Sequence, residues 1–438
     1  MPATVIRDVQ LIDLETATIN VRHLFISEQG VIEKISSVLP ADLEHYHIIE
    51  GKQRFVLPGL INLHTHLFGS GNALKTPSAP FLQGVYLHLL NTNLGKKLLL
   101  SRMKRNAYTE LQTGVTTLRT VGEGLYQDIV LRDQIERGDS LGPTLVVSGP
   151  MLSAKDGHGT PFVARENTSI SDYLQNGQQN IDRGADWIKI CITGGVTDAK
   201  ALGEAGQVQM KLEEAEALCH KAHKQGILVA AHAESTEGVR IALKAGVDSI
   251  EHGFTMDEEM IQLFKNNPKS YRGYSALIPT FSPAIPFANL SQEDLGVTEL
   301  VYQNGKAIYQ GILKGFQQAL QHHITVGIGN DASMTLVTHY DFWRELVYCQ
   351  ELGGLSNQDV LKMATSGNAQ ILGIEDTCGT IAVGQTADLL LLDQNPLETL
   401  QALKHISLVI KKGTPVDKTH FRKLKKIDKL LEKMDGKT

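Results

Sequence analysis

Eight strand-like runs, each followed by a segment of helical character, constrain the fold of this chain more than any other feature. The clearest helix is predicted over residues 212–225, where Leu212, Leu218 and Ala222 share one face. Gly226 follows it as a stop signal. The strand-like runs lie within Val56–Leu67 and at Val115–Val121, Thr144–Gly149, Trp187–Thr193, Ile227–His232, Asp248–His252, Tyr274–Pro279 and Ile324–Asn330.

Strands that alternate with helices along a chain form parallel βα units. Eight such units match a (β/α)8 barrel of the TIM type, so the chain is assigned to the α/β class with a barrel over residues 56–375. In this fold the chemistry lies at the carboxyl ends of the strands. Candidate functional residues are therefore expected there.

Both ends of the chain have a different pattern. Residues 1–55 and 376–415 read as short strands separated by turns, and Gly379–Val383 is one of them. We expect the two ends to meet in one small composite β-sandwich domain beside the barrel. Residues 416–438 are expected to form a helical tail, because apolar residues recur there at helical spacing.

Two histidines follow the apolar stretch that begins at Val56. His64 and His66 are separated by one residue, so on a strand both side chains point to the same face. Two neutral imidazoles held side by side provide half of a transition-metal site. An isolated pair of this kind is more often a solvated strand face, so further ligands on other strands decide its meaning.

Four further polar residues occupy the predicted strands: Lys189, His232, His252 and Asp331. A single strand-end histidine is often a rim residue, and an aspartate after a strand is often a helix N-cap. Lys189 is more informative, because a lysine inside an apolar strand is rarely buried without a partner. Since all of them fall where a barrel places its active site, they predict a metal centre.

Composition restricts the partners of this chain. The formal net charge is −6 and the pI about 6.2, so neither nucleic acid nor a membrane is an expected partner. The expected partner is the small-molecule substrate of the predicted metal centre. The first residues lack the pattern of a signal peptide, and the four cysteines form no CxxC pair. We therefore expect a cytoplasmic location. The sequence leaves open whether the chain forms a homo-oligomer.

The motifs resemble those of the metal-dependent amidohydrolase superfamily, and the resemblance covers most of the chain. Within that superfamily the chain is similar to the prolidase-like, Xaa-amino-acid carboxypeptidase group. The segments that carry the resemblance are PGLINLHTH, GVTTLRTVG, SGPMLS with GHG, ADWIKICITGGV, HAES and GTIAVGQTADLLLLDQNP.

The resemblance implies two divalent metal ions, with Zn²⁺ expected from the nitrogen-rich site and Mn²⁺ or Fe²⁺ left open. It also implies that Lys189 is carboxylated, because an ammonium group is a poor neighbour for a cation whereas a carbamate offers two oxygens. The first metal would be held by His64, His66, Lys189 and Asp331, and the second by Lys189, His232 and His252.

The implied activity is hydrolysis of an amide bond, in dipeptides or N-acyl amino acids, by a hydroxide that bridges the metals. Asp331 would be catalytic, accepting the proton of the nucleophile and passing it to the leaving amine. Two alternatives stay open: hydrolysis of a cyclic amide or lactone, as in imidazolonepropionase, and a non-catalytic barrel used as a scaffold.

Two histidines outside the ligand set are assigned to substrate binding. His158 follows the third predicted strand and is flanked by glycines that allow a ligand to approach. His339 lies in the segment after Asp331. The competing interpretation is that each is a solvent-exposed loop histidine.

Overall fold

The computed structural model describes residues 3–73 and 80–435. Residues 1–2, 74–79 and 436–438, which the predicted β domain, barrel and tail include, lie outside the described residues. In chain order, the strands of the described part are β1 (Thr4–Asp13), β2 (Thr18–Ile26), β3 (Ile32–Ser36), β4 (His47–Glu50), β5 (Phe55–Pro58), β6 (Leu60–Thr65), β7 (Val115–Thr120), β8 (Thr144–Val146), β9 (Met151–Ala154), β10 (Ala164–Asn167), β11 (Trp187–Cys191), β12 (Leu228–Ala233), β13 (Ser249–His252), β14 (Ala276–Ile278), β15 (Leu389–Leu392), β16 (Ile406–Lys411) and β17 (Thr414–Pro415).

The helices alternate with the strands through the middle of the chain. In the same order they are α1 (Pro80–Asn91), α2 (Asn93–Gln112), α3 (Gln127–Glu136), α4 (Ile170–Asp182), α5 (Leu212–His223), α6 (Thr236–Ala245), α7 (Glu258–Lys265), α8 (Pro286–Asn289), α9 (Gln292–Leu295), α10 (Glu299–Gln321), α11 (Phe342–Gly353), α12 (Asn357–Lys362), α13 (Asn368–Leu372) and α14 (Lys425–Glu432).

The two ends of the chain share one eight-stranded sheet. Its strand order is β17-β16-β15-β5-β1-β2-β3, and β4 pairs with β1 beside β5. The antiparallel pair β5–β15 joins the N-terminal and C-terminal segments. The prediction specified a β-sandwich, whereas these strands are hydrogen-bonded into a single sheet. Residues from both ends, such as Ile6, Leu24 and Leu389, form its apolar core.

Two details of the sequence-based assignment differ at this sheet. Residues 55–58 pair with β1 and β15, so the terminal sheet extends three residues into the range predicted for the barrel. The predicted strand Gly379–Val383 is irregular, with bends at residues 379–380 and a turn at Val383, and Gly379 has φ +96°, a conformation that suits glycine but not a strand.

The central strands form two curled parallel sheets, typical of a TIM-type barrel. One has the order β6-β7-β8 and the other β10-β9-β11-β12-β13-β14. The Trp187 N–H donates to the Val147 carbonyl at 3.2 Å, between β8 and β11. On the opposite side, residues 324–332 run between β14 and β6, with parallel bridges Leu277–Val326 and Thr65–Ala332.

The predicted strand Ile324–Asn330 is not a regular strand. Its backbone donates and accepts single hydrogen bonds, such as Leu63 N–H to Ile328 O at 3.0 Å. Gly329 explains the close approach, because a Cβ there would stand 2.5 Å from the backbone nitrogen of His64. The irregular segment therefore brings Asp331 against β6.

The helices pack their apolar faces on the central sheets. Helix α5 begins at the predicted residue and buries Leu218 and Ala222, which share a face with Leu212. Helix α14 of the predicted tail buries Ile427 and Leu431 in the same core. In residues 3–73 and 80–435, no helix combines the length and the hydropathy that crossing a bilayer requires.

Candidate metal centre

His64 and His66 project from the carboxyl end of β6 towards Asp331. All six residues of β6 are buried, so the two imidazoles lie in a site shielded from water. The Nε2 atoms of His64 and His66 are 3.5 Å and 3.3 Å from Asp331 Oδ1. Two nitrogens and one carboxylate oxygen thus face one point, as metal ligands do.

The protein fixes the orientation of both rings from behind. His64 Nδ1 lies 2.6 Å from Glu251 Oε2, and His66 Nδ1 lies 2.9 Å from the Gly122 carbonyl oxygen. A carboxylate and a carbonyl oxygen only accept hydrogen bonds, so each Nδ1–H donates and each Nε2 keeps its lone pair. Burial also lowers the pKa of His64 to about 4, which favours the neutral, ligating form.

Asp331 is held by unusual backbone geometry. Its φ is +56°, and its N–H donates to the His64 carbonyl at 2.8 Å. Within the described residues, Oδ1 has no hydrogen-bond donor. The atom is therefore available to a cation or a proton.

A second group lies beside the first at the ends of β12 and β13. Ligand atoms of His232, Glu234 and His252 all lie within 4.8 Å of one another. The His252 ring centroid is 4.7 Å from that of His232 and 5.1 Å from that of His64, so the two groups adjoin. Burial, with smaller effects of neighbouring charges, lowers the pKa of His232 and His252 well below the usual value.

Lys189 is the middle residue of β11, the strand that pairs with β12. Its Cα pairs with that of Ala230 on β12, and its side chain is buried. No described residue accepts a hydrogen bond from Nζ. Burial lowers the pKa of this amine, although nearby carboxylates such as Glu251 oppose the shift. A buried amine without a partner is costly unless something else occupies the site.

An arginine–glutamate pair lies beneath the first histidine, and sequence reasoning missed it. Arg119 Nη2 donates to Glu251 Oε1 at 2.7 Å, and both side chains are fully buried. The Arg119 guanidinium also stacks on Trp187, with 4.5 Å between its central carbon and the ring centroid. The available signal was an arginine inside the apolar run Val115–Val121.

His158 reaches the site from the loop after β9. Its ring stacks on His232, with 4.2 Å between centroids and 15° between planes. Nδ1 lies 2.5 Å from Asp198 Oδ2. Burial works against the charged form, but Asp198 and Glu234 together raise the pKa of His158 above the usual value. The structure therefore brings this predicted residue to the mouth of the site.

His339 does not lie in the same place. Its side chain is buried, with Nδ1 2.9 Å from Glu110 Oε1 and Nε2 3.2 Å from the Gly69 carbonyl. Both ring nitrogens are thus engaged by the protein. His339 belongs to neither group of candidate ligands, and its substrate-binding role stays a prediction.

Glu234 was also missed by sequence reasoning. It follows His232 by two residues, so the strand directs both side chains to the same face. The residue is 8% exposed, and Oε2 has no hydrogen-bond partner in the described part of the chain. Burial raises the pKa of the Glu234 carboxyl group to about 8. The sequence signal for Glu234 was its two-residue spacing from His232 in the motif HAES.

The donor set suits divalent transition metals. Neutral imidazole nitrogens and carboxylate oxygens are the ligands that Zn²⁺ and related ions prefer. Buried polar atoms without a partner point into the same region, namely Lys189 Nζ, Asp331 Oδ1 and Glu234 Oε2. These features fit a site built to hold cations.

Comparisons with known proteins agree with this geometry. The sequence model of the amidohydrolase family matches residues 55–416. A Bifidobacterium longum protein assigned to the prolidases superposes with a TM-score of 0.87, at 37% identity and over 99% of both chains. A Xaa-Pro dipeptidase solved with methionine in its active site has a TM-score of 0.80 and 27% identity, over 95% of this chain and 100% of that chain. The ochratoxinase of Aspergillus niger is 25% identical over 375 residues, 80% of this chain and 72% of its own length.

Proposed function

Because this chain belongs to the amidohydrolase family and is a hydrolase of carbon–nitrogen bonds, we propose that it cleaves the amide bond of dipeptides or N-acyl amino acids. One observation carries the proposal: two adjoining groups of buried imidazoles and carboxylates converge at the carboxyl ends of β6, β12 and β13. Similarity to a Xaa-Pro dipeptidase at 27% identity supports the choice of substrate.

We assign two divalent cations to these groups, with Zn²⁺ as the first choice. His64, His66 and Asp331 would hold one, and His232 and His252 the other, with Lys189 between them. What supports this assignment is the orientation of each Nε2 of His64 and His66 towards Asp331. When bound, the cations would supply Lewis acidity to the site.

Lys189 is proposed to carry a carboxyl group. The uncharged Nζ would attack carbon dioxide, forming an N–C bond and releasing one proton, and the product is a carbamate with one negative charge. The burial of Nζ and its lack of a partner among the described residues support this step, because both favour the uncharged amine. The two oxygens of the carbamate would be available to the two groups of candidate metal ligands.

Asp331 is proposed to move the proton. Its carboxylate would accept a proton from the attacking water and deliver it to the nitrogen of the leaving amine. The Glu251 carboxylate would keep His64 in one tautomer throughout, and the buried Arg119 would keep Glu251 charged. His158 would line the mouth of the site.

The architecture that holds these residues is proposed to be a closed (β/α)8 barrel. The contacts at Val147–Trp187, Leu277–Val326 and Thr65–Ala332 support closure into one ring. We propose that the barrel spans about residues 60–375, with the terminal β domain from both chain ends and a helical tail after residue 415. This division follows the pairing of β5 with β15.

The state of the cysteines supports a proposal for the cellular compartment of the protein. Cys191, Cys219, Cys349 and Cys378 are all buried and free. We propose a reducing, cytoplasmic environment on this ground.

A substrate library tests the proposal. The purified chain, loaded with Zn²⁺, would be assayed against dipeptides, N-acyl amino acids, and cyclic amides and lactones. Release of amino acid from one of the first two groups is the expected result. Turnover of cyclic amides or lactones alone would favour the second candidate, and no turnover with metal bound would favour a scaffold.

A further inference from the structure

We propose that Glu234 binds the α-ammonium group of the substrate, so that the enzyme selects dipeptides with a free amino terminus over N-acyl amino acids. The inference rests on the proposed function and makes its substrate class more specific. The structural basis is a buried carboxylate that faces the candidate metal centre and has a free oxygen.

Four carboxylates of the described residues have a buried oxygen without a hydrogen-bond partner: Glu123, Asp128, Glu234 and Asp331. Of these, Asp331 and Glu234 have histidine nitrogens of the candidate centre within 4.8 Å. Asp331 already has a role in holding a cation and moving a proton. Glu234 is the carboxylate at this site that lacks an assigned partner.

The geometry of His232 argues against Glu234 as a second ligand of the metal that His232 is proposed to hold. The contact between the two residues runs from His232 Nε2 to Glu234 Oε2 at 4.0 Å. The same Nε2 lies 3.2 Å from the Gly194 carbonyl oxygen, which only accepts, so Nε2–H is the donor. The lone pair of His232 is then on Nδ1, and the nitrogen that faces Glu234 is not the ligating one.

Gly195 lies next to the free oxygen. A Cβ placed on Gly195 would stand 3.5 Å from Glu234 Oε2 and 2.9 Å from His158 Cε1, so a larger residue at position 195 would crowd both side chains. Asp198 already accepts from the backbone N–H of Gly195 at 2.9 Å and contacts His158. Glu234 Oε2 is therefore left for a donor that the described residues do not supply.

The chemistry of a dipeptide matches this position. Its α-ammonium is on the carbon next to the scissile carbonyl, so a carbonyl bound at the metal centre brings the ammonium close to the same ligands. An ammonium group donates three hydrogen bonds, and its positive charge balances the negative charge of a buried carboxylate. An N-acyl amino acid has an apolar carbon there and would leave Glu234 unsatisfied.

A matched pair of substrates tests the inference. Alanyl and propionyl derivatives of the same amino acid differ only by the ammonium group, and the amino acid is the one that the library screen selects. We expect Glu234→Gln to lower kcat/KM for the alanyl substrate about 10- to 100-fold and to leave that for the propionyl substrate nearly unchanged. Bound Zn²⁺ is measured on every variant, and it should equal that of the wild type.

Asp198→Asn is the control for charge. It removes a nearby carboxylate that is already paired with His158. The substitution should therefore change kcat/KM for the alanyl and propionyl substrates by the same factor. The inference is overturned if Glu234→Gln affects both substrates equally, or if that variant loses Zn²⁺, which would make Glu234 a metal ligand. Failure of the wild type to hydrolyse either substrate would instead contradict the proposed function.

Discussion

At the scale of single residues, His64 and His66 carry the first metal assignment. We expect His64→Ala and His66→Ala each to lose bound metal and hydrolytic activity while the fold is retained, because the site is at the rim of a large apolar core. Metal content, turnover and circular dichroism measure the three effects. Near-normal turnover with metal bound in either variant would show that the ligand assignment is wrong.

Lys189 supports a second residue-scale prediction. Lys189→Ala should weaken the binding of both metals, and acetate should partly restore activity by filling the place of the carbamate. Lys189→Arg should stay inactive with acetate, because a guanidinium keeps its charge and forms no carbamate. Activity assays with and without acetate measure this. An active arginine variant would exclude a bridging carbamate.

Breaking the buried Arg119–Glu251 ion pair is expected to lower the stability of the fold. Glu251→Gln should lower the free energy of unfolding by about 3–5 kcal/mol, because Arg119 keeps a buried charge without its partner. The exposed pair Arg7–Glu50 provides the control, and Glu50→Gln should leave stability nearly unchanged because water solvates both groups. Urea denaturation measures both variants. Equal midpoints would show that the buried pair does not stabilise the fold.

At the scale of elements, helix α14 ties the C-terminal tail to the central core. Leu431 is 4% exposed and packs in the large apolar cluster. Leu431→Ala should therefore lower the free energy of unfolding by about 2–5 kcal/mol. Lys429→Ala on the exposed face of the same helix is the control, with no measurable change expected in the urea midpoint. An unchanged urea midpoint for Leu431→Ala would mean that α14 does not pack on the apolar core.

The elements that sequence predicted best are those with strong periodicity or an apolar run. Helix α5 and the strands that carry His64, Lys189, His232 and His252 appear where the pattern placed them. The segment that ends in Asp331 was predicted as a strand and is irregular, because glycines allow close backbone contact that a residue pattern does not encode.

The site was predicted less completely than the fold. Five of the six proposed ligands lie in two adjoining groups, since strand ends in one fold meet at one rim, and Lys189 lies on β11 beside β12. Glu251 and Arg119 were missed, because their roles depend on contacts between strands far apart in the chain. The contact of His339 with Glu110 on α2 was not foreseen for the same reason, and the substrate-binding role of His339 stays a prediction.

At the scale of the whole molecule, the chain begins and ends in one sheet and places its polar buried residues in the region between. The pairing of β5 with β15 joins the two termini, and β6 follows β5 directly into the site. This arrangement brings residues from 64 to 331 of the sequence to one buried point. The central claim is that this point holds two divalent metal ions that serve amide hydrolysis.

Metal analysis of the purified chain tests that claim most directly. The chain is expressed with Zn²⁺ in the medium, freed of loosely bound metal by gel filtration, and measured by plasma mass spectrometry against protein concentration. We expect about two equivalents of Zn²⁺, falling to about one or fewer in His64→Ala. A wild-type chain that retains no divalent metal and still hydrolyses its substrate would contradict it.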